Sequence, residues 1–208
     1  MSSSFRYALG TIFVPRRSFR RLMDDAHPFG RGFRTVSGTG ILWALTSLAL
    51  AVTGAVPMAP IFVSVGVANY YVWQAIFVLP GLLVLWFAAS VVVHILGGGR
   101  RRGGSLKRTL GVFGFAQVLP LRLVWLVETA IAIFYGLGMG QQEMVDLLSV
   151  PSTVQTVFLA VFGAAAAWSF LLAWLAAAVS QKIHWAWAFF LGLLAEILFV
   201  GPIVLLMR

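Results

Sequence analysis

Residues 97–128 read GGGRRRGGSLKRTLGVFGFAQVLPLRLVWLVE, and this stretch decides the fold. Five cations (Arg100, Arg101, Arg102, Lys107 and Arg108) sit in and just after a glycine-rich loop. A short apolar segment follows, stops at Pro120, and restarts as a long hydrophobic run holding a lone Arg122 and a lone Glu128. Such a loop cannot enter hydrocarbon, and such a run leaves it only at a large cost. The stretch therefore marks one face of a membrane, and the rest of the chain is oriented from it.

Working outward, the composition fits that reading. Of the 208 residues 61% are hydrophobic and 10% charged, and mean hydropathy is +0.95. An ordinary soluble domain is about one-quarter charged. Several runs of about 20 apolar residues predict an all-α, polytopic membrane bundle. A β-barrel is excluded because its strands alternate apolar and polar, whereas these runs are apolar all round. Only helices then satisfy every backbone group within the span. The net charge of +9 is not a nucleic-acid signal, because twelve of the fifteen Lys and Arg lie in 6–34 and 100–108, flanking apolar spans. Anionic lipid headgroups are the expected partner. The absence of cysteine removes disulfide and thiol chemistry, and no cofactor is implied. The first 35 residues lack the apolar core of a signal peptide, so cleavage is not expected.

The chain divides into a basic arm, 1–35, and a five-helix membrane domain, 36–208. Within the arm, Pro15 to Met23 predicts a short amphipathic helix, with Pro15 in its first turn. Phe19, Leu22 and Met23 form one stripe, flanked by Arg16, Arg17, Arg20 and Arg21. That pattern predicts a helix lying in the interface, its cations on headgroups. The spans are expected at about 36–56, 72–96, 119–138, 154–179 and 184–207, with bends at Pro80 and Pro120. Segment 105–118 either begins the third span or lies along the surface. The surface reading is favoured, because Pro120 disfavours helix at Leu119 and Arg122 needs an interface nearby.

Lys and Arg number seven before span one, none before span two and five before span three. The next connection has none, and the last has Lys182. This alternation predicts a cytoplasmic N-terminus and an extracytoplasmic C-terminus.

Among candidate functional residues, Glu128 and Glu196 stand out. Counted at 1.5 Å per residue, Glu128 lies roughly 12 Å beyond Pro120 and Glu196 roughly 18 Å beyond His184. An acid at such depth must be neutral, paired or hydrated, and should face the bundle interior. Two readings stay open: a proton- or cation-responsive site between spans three and five, or neutral acids bonding helices together. Arg122 does not share a helical face with Glu128 and is expected to snorkel to headgroups. Convergence of Glu128, Glu196 and His94 is conceivable, but the donor set does not predict a metal site. The pairs Ser90–His94 and Ser180–His184 lack an orienting acid, so no enzymatic activity is expected. The glycine-rich loop lacks a Gly-Lys-Ser/Thr ending and does not predict nucleotide binding. Ala160, Gly163, Ala164 and Ala167 form a small-residue stripe, expected to pack within the monomer, with packing between copies as the alternative. The tryptophans, including Trp43, Trp73, Trp86, Trp174, Trp185 and Trp187, are expected to be interfacial anchors or lipid-facing bulk.

Three features resemble the Yip1 family of five-span membrane proteins in the form found in bacteria and archaea. Ile12-Phe13-Val14-Pro15 through Phe19 to Leu22 is similar to the family's Pro-x-x-x-Phe-x-x-Leu opening segment. Gly103 to Leu110, then Gly114-Phe115 and Leu119-Pro120, resembles its glycine-rich basic loop, Gly-Tyr and proline, with Phe115 in place of the tyrosine. Trp168 in a small-residue fourth span, before a short polar turn and a final helix, is the third. The resemblance implies the N-in, C-out topology, here in a prokaryotic plasma or inner membrane. Eukaryotic relatives are linked to Rab GTPases and vesicle traffic, but this arm lacks their long acidic, proline-rich tail and carries over no GTPase site. The resulting expectation is a non-enzymatic protein that organises its lipid environment or serves as a partner-binding membrane subunit. The alternative is a small channel or transporter, homo-oligomeric in one version, using Glu128 and Glu196.

Overall fold

The computed structural model describes residues 3–57, 69–99, 104–149 and 152–206. Every element in them is a helix: α1 Ser3–Phe13, α2 Pro15–Met23, α3 Pro28–Val52, α4 Tyr70–Leu96, α5 Leu106–Gly136, α6 Gln141–Ser149, α7 Thr153–Gln181 and α8 Trp185–Leu206. Among the described residues, α3, α4, α5, α7 and α8 are long and apolar enough to cross a membrane. The chain is an all-α, multi-pass membrane protein.

Local chemistry sets the helix ends. Pro15 and Pro28 open α2 and α3, where a missing N–H costs nothing. The Ser152 hydroxyl accepts from the Gln155 N–H at 3.1 Å and caps α7. Gly98 closes α4 with φ 73° and Gly138 follows α5 with φ 94°, a conformation that glycine adopts without steric cost. Lys182 takes the same left-handed conformation (φ 51°) to turn the chain from α7 into α8.

At 31 residues, or about 46 Å, α5 is the central helix, and thirteen consecutive residues from Thr109 to Leu121 are buried. This corrects the favoured surface placement of 105–118. The segment is the first half of the third span, and the helix runs through Pro120 unbroken, as α4 runs through Pro80. Proline removes one hydrogen bond from the ladder, but at Pro120 close packing on all sides holds the helical path. Residues 109–121 carry no charge, so nothing opposes their enclosure.

Glycines make the enclosure close. A methyl group on Gly114 would lie 2.7 Å from the Gly32 Cα, and one on Gly111 would lie 2.6 Å from the Pro28 carbonyl oxygen. Here the start of α3 crosses α5 backbone to backbone. Because α3 begins at Pro28 rather than near residue 36, its first turns belong to this crossing rather than to a loose arm.

The arm itself folds onto the bundle as a helical hairpin. Helix α2 forms where the spacing placed it, but Phe19, Leu22 and Met23 are buried against α5 and α7. That corrects their expected placement in lipid, since the bundle offers the stripe a protein groove. Asp25 ties the hairpin down: it accepts from the Tyr7 hydroxyl at 2.9 Å and the His27 backbone N–H at 2.8 Å, and pairs with Arg31 at 3.5 Å.

Two further expectations are corrected. Ala160, Gly163, Ala164 and Ala167 are all exposed, because α7 instead turns Ala165, Ser169, Leu172, Ala173, Ala176 and Ala177 inward. Trp43 and Trp86 are buried rather than interfacial, each because its indole N–H has a partner inside the bundle. Trp73, Trp185 and Trp187 are exposed, as anchors would be.

Candidate functional site

A polar seam runs where α3 meets α5. Thr35, Thr39, Trp43 and Thr46 recur every three or four residues of α3 and so share one face. Opposite them on α5 stand Arg122, Trp125, Glu128 and Thr129. Arg122 Nε donates to Thr39 Oγ1 at 3.0 Å, and Trp125 Nε1 to Thr46 Oγ1 at 3.0 Å. The Thr46 and Thr129 hydroxyls are 3.3 Å apart. Trp43 Nε1 donates to Glu128 Oε2. An open groove of about 310 Å³ follows the outside of this seam, lined by residues that include Leu45, Thr46, Trp125 and Thr129.

Glu128 is therefore a three-helix junction. Trp43 comes from α3, and from α4 the Gln74 amide lies beside the carboxyl without reaching hydrogen-bond geometry. Glu128 Oε1 and both amide atoms of Gln74 are buried with no hydrogen bond. Together they form a pocket of unmet polar capacity inside a membrane domain, where such groups are costly.

The longer α5 changes the depth of both charges. Glu128 is eight residues from the end of α5, about 12 Å, and about 33 Å from its start. It thus lies toward the far end of the bundle, not near the loop that precedes α5. Arg122 is about 24 Å from Leu106, near mid-helix, and half-buried on Thr39. The expected snorkelling is corrected: a side chain that far from the helix start meets a threonine of α3 first.

Glu196 occupies a separate place between α8 and α7. The Ser169 hydroxyl lies beside it, yet both carboxyl oxygens and the Ser169 Oγ are buried without a hydrogen bond. Glu128 and Glu196 share no partner, so the structure does not bring them into one site. The two helices that carry them do meet lower down, where Gln117 Nε2 donates to the Ala195 carbonyl at 3.4 Å.

His94 belongs to a third cluster, at the end of the bundle where the arm packs. Its Nδ1 is 3.2 Å from Thr109 Oγ1, which also accepts from Gln181 Nε2 at 2.9 Å. The cluster ties α4, α5 and α7 together. Ser90 Oγ is buried with no hydrogen bond, and His94 does not bond it. His184 Nδ1 accepts from the Ala186 N–H, not from Ser180. No group of three or more His, Cys, Asp or Glu residues gathers among the described residues.

The charged surface is strongly divided. Arg16, Arg17, Arg20 and Arg21 on α2 are exposed, as are Lys107 and Arg108 at the start of α5 and Lys182 in the α7–α8 turn. All lie at one end. Arg100, Arg101 and Arg102 lie outside the described residues. The opposite end carries the exposed acids Glu143 and Asp146 on α6.

Sequence reasoning had found Glu128, Glu196, Arg122 and His94 but not Trp43, Gln74 or the α3 threonines. The threonine spacing was visible, yet its facing partner could not be read without the register of α3 on α5. No protein-family model, curated protein or solved structure matches the chain.

Proposed function

We propose that this protein is a non-enzymatic, Yip1-like membrane component that organises anionic lipid around its arginine-rich end, with that end in the cytoplasm. The observation that supports the reading is the segregation of exposed cations. Cations of α2, the first turn of α5 and the α7–α8 turn share one end, opposite the acids of α6. Each cation near an anionic leaflet contributes about 1 kcal/mol, so four to eight acting together hold a lipid annulus of distinct composition. The separation of Glu128 from Glu196 favours this over transport, because the two acids share no partner and Glu128 bonds across helices to Trp43.

The test is lipid retention. Purified from a mixed anionic and zwitterionic membrane, the protein should carry an excess of anionic phospholipid by native mass spectrometry. Replacing Arg16, Arg17, Arg20 and Arg21 with Gln should reduce that excess. Equal retention of both lipid classes by the unaltered protein would overturn the reading. Proton flux into liposomes that disappears in Glu128→Gln or Glu196→Gln would establish the transporter instead.

A further inference from the structure

The two helices of the arm dispose of their apolar residues in opposite ways. Whereas α2 turns its stripe into the bundle, α1 buries Thr11 and half-buries Tyr7 and Ala8. Phe5, Leu9, Ile12 and Phe13 are left outward, with Phe13 77% exposed. Positions 5, 9, 12 and 13 fall at i, i+4, i+7 and i+8, which is one face of a helix. Val14, at the hairpin tip, is also half exposed. The same hairpin exposes Arg6 of α1 and Arg16, Arg17, Arg20 and Arg21 of α2.

We propose that this outward face of α1 is a leaflet anchor, seated in the headgroup–acyl boundary of the anionic leaflet of the membrane that the chain itself spans. The inference rests on the lipid reading above and names the segment that enters the leaflet. Two observations select lipid as the occupant. The Tyr7 ring packs edge-on against Phe115 at 6.2 Å between centroids, and Phe115 lies nine residues into α5, about 14 Å along a spanning helix. Helix α1 is therefore held beside a span, at the level of a bilayer, rather than beyond it in water. Charge supplies the second: a hairpin that exposes both an apolar stripe and five arginines complements an anionic interface. The same face on a second copy would set arginines against arginines.

The chain contains no cysteine, so single labels can be placed without removing any native thiol. Phe5→Cys, Leu9→Cys, Ile12→Cys and Phe13→Cys, each carrying a nitroxide, are reconstituted in vesicles of phosphatidylcholine and phosphatidylglycerol. Arg17→Cys serves as the solvent-facing reference. Collisions with oxygen, which concentrates in lipid, should exceed those with an aqueous nickel chelate at all four positions, and the order should reverse at 17. Nickel-dominated collisions at the four positions overturn the anchor. Exclusion of both reagents also overturns it, since that marks a face covered by protein. Anionic-lipid retention measured on the same samples separates the two claims. Retention with water-exposed labels sinks only the anchor, whereas lipid-exposed labels without retention sink only the lipid-organising role.

Discussion

Two sets of small residues in this chain meet opposite fates. Gly32, Gly111 and Gly114 bring α3 and α5 backbone to backbone, while Ala160, Gly163, Ala164 and Ala167 look outward from α7 with nothing within 4 Å of a methyl group on Gly163. By spacing alone the α7 set is the stronger motif. The difference lies in the partner. At the α3–α5 crossing each glycine faces another backbone, so dispersion and close approach are gained on both sides. The outward stripe of α7 has no such counterpart among the described residues, and the helix packs on an adjacent face. Small residues permit a close crossing; a small or yielding surface opposite is what produces one.

The contrast can be broken most directly at Gly114. Gly114→Val should destabilise the bundle by about 1–3 kcal/mol or more, because the obstructing atom is the Gly32 Cα and no side chain can swing away. Reversible unfolding in detergent or bicelles measures it, and an unchanged midpoint would mean the crossing is loose. Trp43→Phe tests the polar half of the same interface. Without its indole donor the Glu128 carboxyl loses its hydrogen bond, at a cost of about 1–3 kcal/mol. A second change, Glu128→Leu, should restore part of the loss if the two act as a pair.

A smaller effect is expected from acid. The His27 backbone N–H, then the Tyr7 hydroxyl and Arg31, hold the Asp25 carboxyl below its ordinary 3.8, against opposing desolvation. Stability from Asp25 is therefore complete above 3.8 and is lost as pH falls through the lower folded value. Asp25→Asn should remove that part of the acid sensitivity, and an unaltered pH profile would show the hairpin is held by packing alone. Smallest of all, Gly163→Leu or Ala164→Leu should move stability by less than about 0.5 kcal/mol and leave the oligomeric size unchanged. A larger loss, or a change in size by light scattering, would reveal a second copy on that face.

Five spans were legible because apolar runs of this length have no other stable form. The start of the third span was not. Pro120 and Arg122 read locally as a break and a surface segment, whereas packing around residues 109–121 carries the helix through. That single misplacement also shifted Glu128 in depth, since it was counted from Pro120, and it put Arg122 near an interface. In the arm, Pro15 and the spacing of Phe19, Leu22 and Met23 revealed α2. Which way its stripe points depended on a groove between α5 and α7 that no local pattern encodes. Glu128 was visible as a costly residue, but Trp43, 85 positions earlier, was invisible as its donor.

The seat of α2 has a consequence for how the molecule is made. Phe19 and Leu22 leave the ribosome early, yet the surface that receives them includes α7, which begins at residue 153. Synthesis proceeds from the N-terminus, so the hairpin waits through the insertion of four spans before its berth exists. An early-translated segment therefore docks only after the fourth span is in place.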